Sequence, residues 1–282
     1  MTIHEIRLNA NELLSTIYDH AEAENIAEWL LENKTGLSKT ELIAGKHQQL
    51  TPQQNQEIEK GLKRLQTHEP IQYVLNESWF CGMKFYVDKN VLIPRPETEE
   101  LVEWIISNLK FPLGKISILD IGSGSGCIAI ALKRKLRKAD VWSCDVSANA
   151  LAVAKRNAIS LNADVNFVEM NFLDVNEWQK LPQFDIIVSN PPYVPQQDKL
   201  QMNKNVLDYE PHTALFVPDN DPLLFYKKIA LFGKNHLNKD GAIFLELHEE
   251  YATDTAQYFQ NDNYKTEIKK DMQGKQRMMK GY

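Results

Sequence analysis

The chain has 282 residues, 43% hydrophobic and 25% charged, with a formal net charge of -6. This is enough apolar material for one or two cored domains, and no run approaches the roughly 20 consecutive apolar residues of a membrane span. A mildly acidic chain lacks the long-range positive field that gathers nucleic acid, and MTIHEIRLNANELL lacks the apolar core of a secretory leader.

Residues 1–75 predict a small helical bundle. Ile3, Ile6, Leu13, Leu14 and Ile17 recur at helical spacing, as do Ile26, Trp29 and Leu30. Ser38-Lys39-Thr40-Glu41 and Thr51-Pro52-Gln53-Gln54 fit capping boxes, the second with proline at the first helical position. Residues 1–80 hold 7 Lys and Arg against 12 Asp and Glu, a local charge of -5, so most of the acidity sits here. WFCGMKFYVD, aromatic and β-branched around a glycine, predicts a hairpin, and residues 76–96 read as a connector. Pro94 and Pro96 bar a helix up to that point, and a helix is expected from Thr98 to Ile106.

From Lys115 onward strands alternate with helices. Strands are expected at Ile116–Ile121, Val141–Asp145, Asn166–Met170, Asp185–Ser189 and Ala242–Leu247, and helices at Gly126–Arg137, Ser147–Leu161, Pro222–Leu237 and Glu249–Gln260. This spacing predicts an α/β domain over 97–282, with a parallel sheet covered on both faces. Tyr264–Lys269 and Arg277–Lys280, around a polar turn, predict an antiparallel hairpin at the sheet edge. Cys81, Cys127 and Cys144 are scattered without a CxxC pair, as expected of a cytoplasmic protein. None of the seven histidines forms a cluster at metal-ligand spacing, so no metal is expected.

ISILDIGSGSGCIAIAL is a strand, a glycine-rich turn and a helix. Its spacing is GxGxG and not the GxGxxG of a dinucleotide site; alone, such a turn is weak evidence for a ligand. Asp145, at the end of the next strand, strengthens it. A carboxylate there accepts hydrogen bonds from both hydroxyls of a ribose and repels a 2′-phosphate. No GxxxxGK[ST] is present, so the pattern points to a nucleoside-bearing cofactor without a triphosphate site.

FDIIVSNPPYVP is the most informative stretch. An apolar strand ends abruptly at Asn190, Pro191, Pro192 and Tyr193. The prolines fix their φ angles and donate no hydrogen bonds, so the turn is rigid and its carbonyls are available. A planar amide or amino-heterocycle presents an NH2 with two donors, which the Asn190 side-chain oxygen and the Pro191 carbonyl can accept. Tyr193 offers a flat ring for stacking. The bland alternative is a polyproline-like loop without chemistry.

The chain here resembles the class I, Rossmann-like S-adenosylmethionine methyltransferases, and more narrowly the HemK/PrmC family of protein-(glutamine-N5) methyltransferases. The resemblance rests on EPIQYVL, FYVDKNVLIPRPETEELV, ILDIGSGSGCIAIAL, IIVSNPPYV, YEPHTALF and QRMMKGY. It implies an S-adenosyl-L-methionine cofactor, with S-adenosyl-L-homocysteine as product. The substrate it implies is the glutamine of the Gly-Gly-Gln motif of class I peptide chain release factors. It further implies that Gly122, Ser123, Gly124, Ser125 and Gly126 lie along the methionine moiety, that Asp145 holds the ribose and that Phe172 packs beside adenine. Asn190, Pro191, Pro192 and Tyr193 would form the amide cradle, with Asn190 near the cofactor as well. The helical region would dock the release factor, with no direct binding of nucleic acid or membrane.

Two departures from the family pattern stand out. Asn171 occupies a position that is often acidic, and His248 follows Glu246 and Leu247 where glycine is usual. His248 reads as a strand-end residue, and His212 as a loop residue bonded to backbone. The competing readings are a methyltransferase acting on the exocyclic amino group of adenine or cytosine, which shares NPPY, and a scaffold that keeps the fold without activity. The absence of a basic, aromatic-rich recognition domain weighs against the first.

Overall fold

The computed structural model describes residues 1–109 and 116–282; Lys115, the first residue of the expected alternating region, lies outside them. The chain divides into two compact units, Met1–Glu77 with Asn203–Tyr209, and Ser78–Met202 with Glu210–Tyr282. Most of the stretch read as a connector thus falls in the second unit. The reason is burial: Phe80 and Phe85 of its hairpin are fully enclosed in that unit's core.

The first unit contains α1 (Ile3–Leu14), α2 (His20–Thr35), α3 (Lys39–Ala44), α4 (Pro52–Leu65) and α5 (Ile71–Leu75). The helices begin where the caps are. The Gln54 N–H donates to Thr51 Oγ1 at 3.2 Å while the Thr51 N–H donates to Gln54 Oε1 at 2.9 Å. The Ser38 N–H donates to Glu41 Oε2 at 2.8 Å. One face of each helix supplies the core, including Ile6, Leu14, Leu30, Ile58, Leu62 and Leu65. The Tyr209 hydroxyl, from the stretch contributed by the middle of the chain, donates to the Thr67 carbonyl at 2.7 Å.

The second unit starts with the hairpin β1 (Ser78–Phe80) and β2 (Met83–Phe85), then α6 (Pro96–Asn108), β3 (Ser117–Ile121), α7 (Cys127–Lys135), β4 (Asp140–Asp145), α8 (Ala148–Ser160) and β5 (Asn166–Glu169). There follow β6 (Phe184–Ser189), β7 (Val194–Pro195), the single turn α9 (Lys204–Leu207) that belongs to the first unit, and β8 (Phe216–Val217). The chain ends with α10 (Leu224–His236), β9 (Leu237–Glu246), α11 (Ala252–Asn261), β10 (Thr266–Lys270) and β11 (Gln276–Gly281).

The main sheet has seven strands in the order β10-β11-β9-β6-β3-β4-β5. The pairs from β9 through β5 are parallel, and β11 and β10 add antiparallel at the edge. This is the mostly parallel architecture expected of a class I methyltransferase fold. Alternate residues of the strands feed the two faces. Ile118, Val141, Ile186 and Phe244 pack with α6 and α7, while Leu119, Ile187, Ile243 and Leu245 pack with α10 and α11.

In the first unit α4 approaches α2 at Gly61, where a Cβ would lie 2.7 Å from Leu30 Cδ1. Gly61→Val adds a branched side chain to this filled contact. It is expected to lower unfolding free energy by about 1–3 kcal/mol. Chemical denaturation followed by circular dichroism checks this, and unchanged stability would show that the helices move apart without cost.

Candidate active site

The order of the strands creates the site. From β3 the chain runs outward through β4 to β5, then returns to the other side of β3 as β6. Ligands in open α/β sheets bind at such a reversal, beyond the carboxyl ends of the strands. Ile121 of β3 lies level with Ser189 of β6. The next residues, Gly122 and Asn190, therefore leave the sheet side by side. Gly122 has φ +88°, so the turn calls for glycine, and the Asn190 carbonyl oxygen lies 3.9 Å from where its Cβ would be, an ordinary contact distance. A cavity of about 420 Å³ occupies this crevice, lined by Gly122, Ser123, Gly124, Ser125, Asp145, Phe172, Asn190, Pro191 and Pro192 among others.

The glycine loop is held from two directions. Asp145 Oδ2 accepts the Gly124 N–H at 2.9 Å, and its Oδ1 accepts the Ser147 N–H at 2.9 Å. Each oxygen keeps a second lone pair for a ligand hydroxyl, in an orientation already set. Burial raises the Asp145 pKa, and these backbone N–H groups oppose the shift. Beneath the loop, Asp120 Oδ2 accepts the Ser143 hydroxyl at 2.8 Å, and the hydroxyls of Ser143 and Ser123 are 2.5 Å apart. With Asp120 ionised, the single Ser143 proton is directed at Asp120 and Ser123 donates to Ser143. Sequence reasoning passed over Asp120; its signal was a carboxylate inside the apolar strand SILDI.

Gly126 does not line the cavity. It has φ +82°, and a Cβ there would meet Ile130 Cδ1 at 3.0 Å and Ala154 Cβ at 3.1 Å, so it serves the packing of α7 against α8. Phe172 is buried and faces the cavity, its ring tilted against Trp178 and edge-on to Phe232. Asn171 also lines the cavity, and its Oδ1 accepts the Leu173 N–H at 3.1 Å.

The Asn190 Nδ2 donates to Thr98 Oγ1 at 3.1 Å, and Thr98 donates to Glu246 Oε2 at 2.6 Å. Tyr193 turns away from the expected stacking position: it does not line the cavity, and its hydroxyl donates to Glu246 Oε1 at 3.2 Å. Its ring packs against the apolar cluster that includes Tyr226 and Ile229 of α10. Thr98 and Glu246 were not singled out in the sequence. Glu246, an acidic residue within AIFLELH, carried the same signal as Asp120.

His248 follows β9 and does not line the cavity; its Nδ1 accepts the Glu250 N–H at 3.3 Å. His212 lies outside the lining too, its ring edge-on to Phe216 at 5.2 Å. Two of the segments that carry the sequence resemblance, FYVDKNVLIPRPETEELV and YEPHTALF, meet at the cavity wall. Arg95 forms an ion pair with buried Glu210, and the Ile93 N–H donates to Glu210 Oε2 at 3.3 Å. This pins the stretch before α6 to the loop carrying Pro211, Thr213 and Ala214, all of which face the cavity.

Residues 5–75 match the family described as PrmC N-terminal domain, and residues 99–209 match Methyltransferase small domain. A release factor glutamine methyltransferase of Flavobacterium psychrophilum is 44% identical, covering 99% of both chains. One of Bacteroides thetaiotaomicron is 38% identical over 98% of this chain and 99% of its own. The chain belongs to the release factor glutamine methyltransferase family. Its fold is also that of a solved methyltransferase from Pyrococcus furiosus, with a TM-score of 0.53 at 19% identity over 71% of this chain and 89% of that one. Among the described residues of this family member, no helix is long and apolar enough to cross a membrane.

The chain under the glycine loop gives a pH test. Burial raises the Asp120 pKa from 3.8 to about 7, against the hydrogen bond from Ser143. Between those values the folded protein holds a proton that the unfolded chain has lost, so this group's contribution to stability falls as pH rises through the window. Asp120→Asn removes the titration. The difference in Tm, variant minus wild type, is expected to be more positive at pH 8 than at pH 5. A pH-independent difference in thermal scans would contradict the assignment.

Proposed function

We propose that the chain transfers a methyl group from S-adenosyl-L-methionine to the side-chain amide nitrogen, N5, of the glutamine in the Gly-Gly-Gln motif of class I peptide chain release factors. One observation carries the reading. The glycine loop with Asp145 and the Asn190–Pro191–Pro192 turn share a single cavity at the sheet's switch point. The two full-length relatives, both release factor glutamine methyltransferases by name, support this substrate over a nucleic-acid amino group or an inactive scaffold.

The residues fit the cofactor. Asp145 has an acceptor lone pair on each oxygen for the two ribose hydroxyls, Phe172 gives adenine an apolar wall, and the Gly122–Ser125 backbone leaves room for the methionine moiety. When bound, S-adenosylmethionine supplies an electrophilic methyl group on a sulfonium. The chain's own task is to hold a poor nucleophile in line, because an amide lone pair is delocalised. In this reading Asn190 Oδ1 and the Pro191 carbonyl each accept one N–H of the glutamine, which fixes its rotation and presents the face of the nitrogen. Among the described lining residues Asp145 is the one carboxylate, and it is assigned to the ribose, so the N-methylated amide gives up its proton to water after transfer and not to a dedicated base. Arg95 and Glu210 brace the wall of the cleft. The helical residues 1–75, matched to a PrmC N-terminal domain, are assigned to docking the release factor, in the cytoplasm where translation ends.

Single-turnover methylation, followed by mass spectrometry of a purified release factor, tests the chemistry. The wild-type factor should gain one methyl group on its motif glutamine. A Gln→Asn factor, shorter by one methylene, should react roughly a hundredfold more slowly or worse, and so should the Asn190→Ala enzyme on the natural factor. Equal rates for the two factors would mean that the cradle does not select the amide.

Cofactor affinity is a separate test. Asp145→Ala is expected to weaken S-adenosylhomocysteine binding by about 1–3 kcal/mol in calorimetric titration, through loss of charge-assisted hydrogen bonds. Unchanged affinity would remove Asp145 from the ribose site.

A further inference from the structure

An amide side chain has two nearly isosteric ends, and only one of them can accept the substrate's N–H. Asn190 with its NH2 toward the cavity would meet the glutamine NH2 donor to donor. Something must therefore fix which end faces in. We propose that Thr98 and Glu246 are positioning residues that form a buried, one-directional hydrogen-bond chain holding Asn190 with its amide oxygen toward the substrate. The proposal rests on the role given above to Asn190 as acceptor.

The direction of the chain follows from counting protons. Glu246 and Thr98 are each only 2% exposed, so their polar atoms have no solvent to turn to. Ionised Glu246 can only accept. Its Oε2 takes the Thr98 hydroxyl at 2.6 Å and its Oε1 takes the Tyr193 hydroxyl at 3.2 Å. Thr98 has one proton, committed to Glu246, so toward Asn190 it can only accept. Asn190 must therefore give its Nδ2 to Thr98, at 3.1 Å, and Oδ1 is left on the other side. Thr98 is in the first turn of α6, Glu246 is the last residue of β9, and Asn190 follows β6, the strand beside β9.

The same count gives the chain a proton-controlled failure. Protonated Glu246 would donate to Thr98, the Thr98 proton would turn to Asn190 Oδ1, and the NH2 would swing toward the substrate. Burial raises the Glu246 pKa, and Thr98, Tyr193 and Arg277 oppose it. The groups facing Glu246 are Thr98 and Glu97 from α6, Tyr193 from the turn after β6, Tyr226 from α10 and Arg277 from β11; of these Glu97 adds to the upward shift and Tyr226 donates to the Glu246 backbone carbonyl at 3.2 Å. Turnover should therefore fall as pH drops through this pKa, while cofactor affinity does not follow.

The test uses the full chain, a purified release factor and labelled S-adenosylmethionine. Thr98→Val keeps the shape and removes the acceptor. It should lower kcat roughly ten- to a hundredfold, with KM for the factor and cofactor Kd changed by less than about twofold. Thr98→Ser restores the hydroxyl and should restore kcat. Glu246→Gln cannot ionise, so the acid limb of the wild-type kcat profile should be lost. A Thr98→Val enzyme with normal kcat, or an acid limb that persists in Glu246→Gln, overturns the proposal if Asn190→Ala is impaired. Normal kcat in Asn190→Ala would instead overturn the acceptor role beneath it. Should Thr98→Val not fold, the Glu246→Gln profile and the Thr98→Ser rate decide.

Discussion

A buried polar group left without a partner is costly, and a group with one proton can direct it only one way. That constraint organises the crevice of this protein. Two carboxylates are buried within the sheet, Asp120 in β3 and Glu246 at the end of β9. Each takes a hydroxyl proton, from Ser143 and from Thr98. Each thereby orients a second polar group nearer the cavity, Ser123 in one case and Asn190 in the other. The cleft is polar where its floor dictates and apolar elsewhere, which is what a cavity needs if it is to hold a nucleoside and an amide in fixed relation.

Topology supplies the rest. Because β3 and β6 are neighbours in register, the glycine loop and the proline turn emerge together although far apart in sequence. Asp145 ends the next strand out and ties itself to the same loop through Gly124. The cavity wall is closed by an ion pair between Arg95 and Glu210, two residues 115 positions apart. Burial raises the pKa of Glu210 while Arg95 opposes the shift, as expected of a carboxylate held by a single cation in a poorly solvated place.

Much of this was legible in the sequence because its causes are local. Capping boxes, alternating apolar runs and the GxGxG spacing act over a few residues, so the helices, the parallel strands and the turn at Gly122 could be placed. Asn190 was legible because two prolines after an apolar strand leave few conformations. What escaped depends on neighbours that no local pattern names. The direction of Tyr193 is set by Glu246, 53 positions away, and the chemical direction of Asn190 by Thr98, 92 positions away. The GxGxG spacing also does not show that Gly126 is crowded by Ala154 on the following helix. The stretch Asn203–Tyr209 carries no mark of belonging with the helical unit, since an attachment such as the Tyr209 hydroxyl on the Thr67 carbonyl joins residues 142 positions apart. Buried acidic residues inside strands were the one general signal left unused.

The central claim is that an amide oxygen of fixed orientation receives the substrate amide. A high-resolution structure of the chain with S-adenosylhomocysteine and a release factor tests it most directly. The account predicts the glutamine nitrogen within hydrogen-bond distance, about 2.7–3.2 Å, of both Asn190 Oδ1 and the Pro191 carbonyl oxygen, with Asn190 Nδ2 still on Thr98. A glutamine held by other groups, or an Asn190 that presents its nitrogen to the substrate, would contradict it.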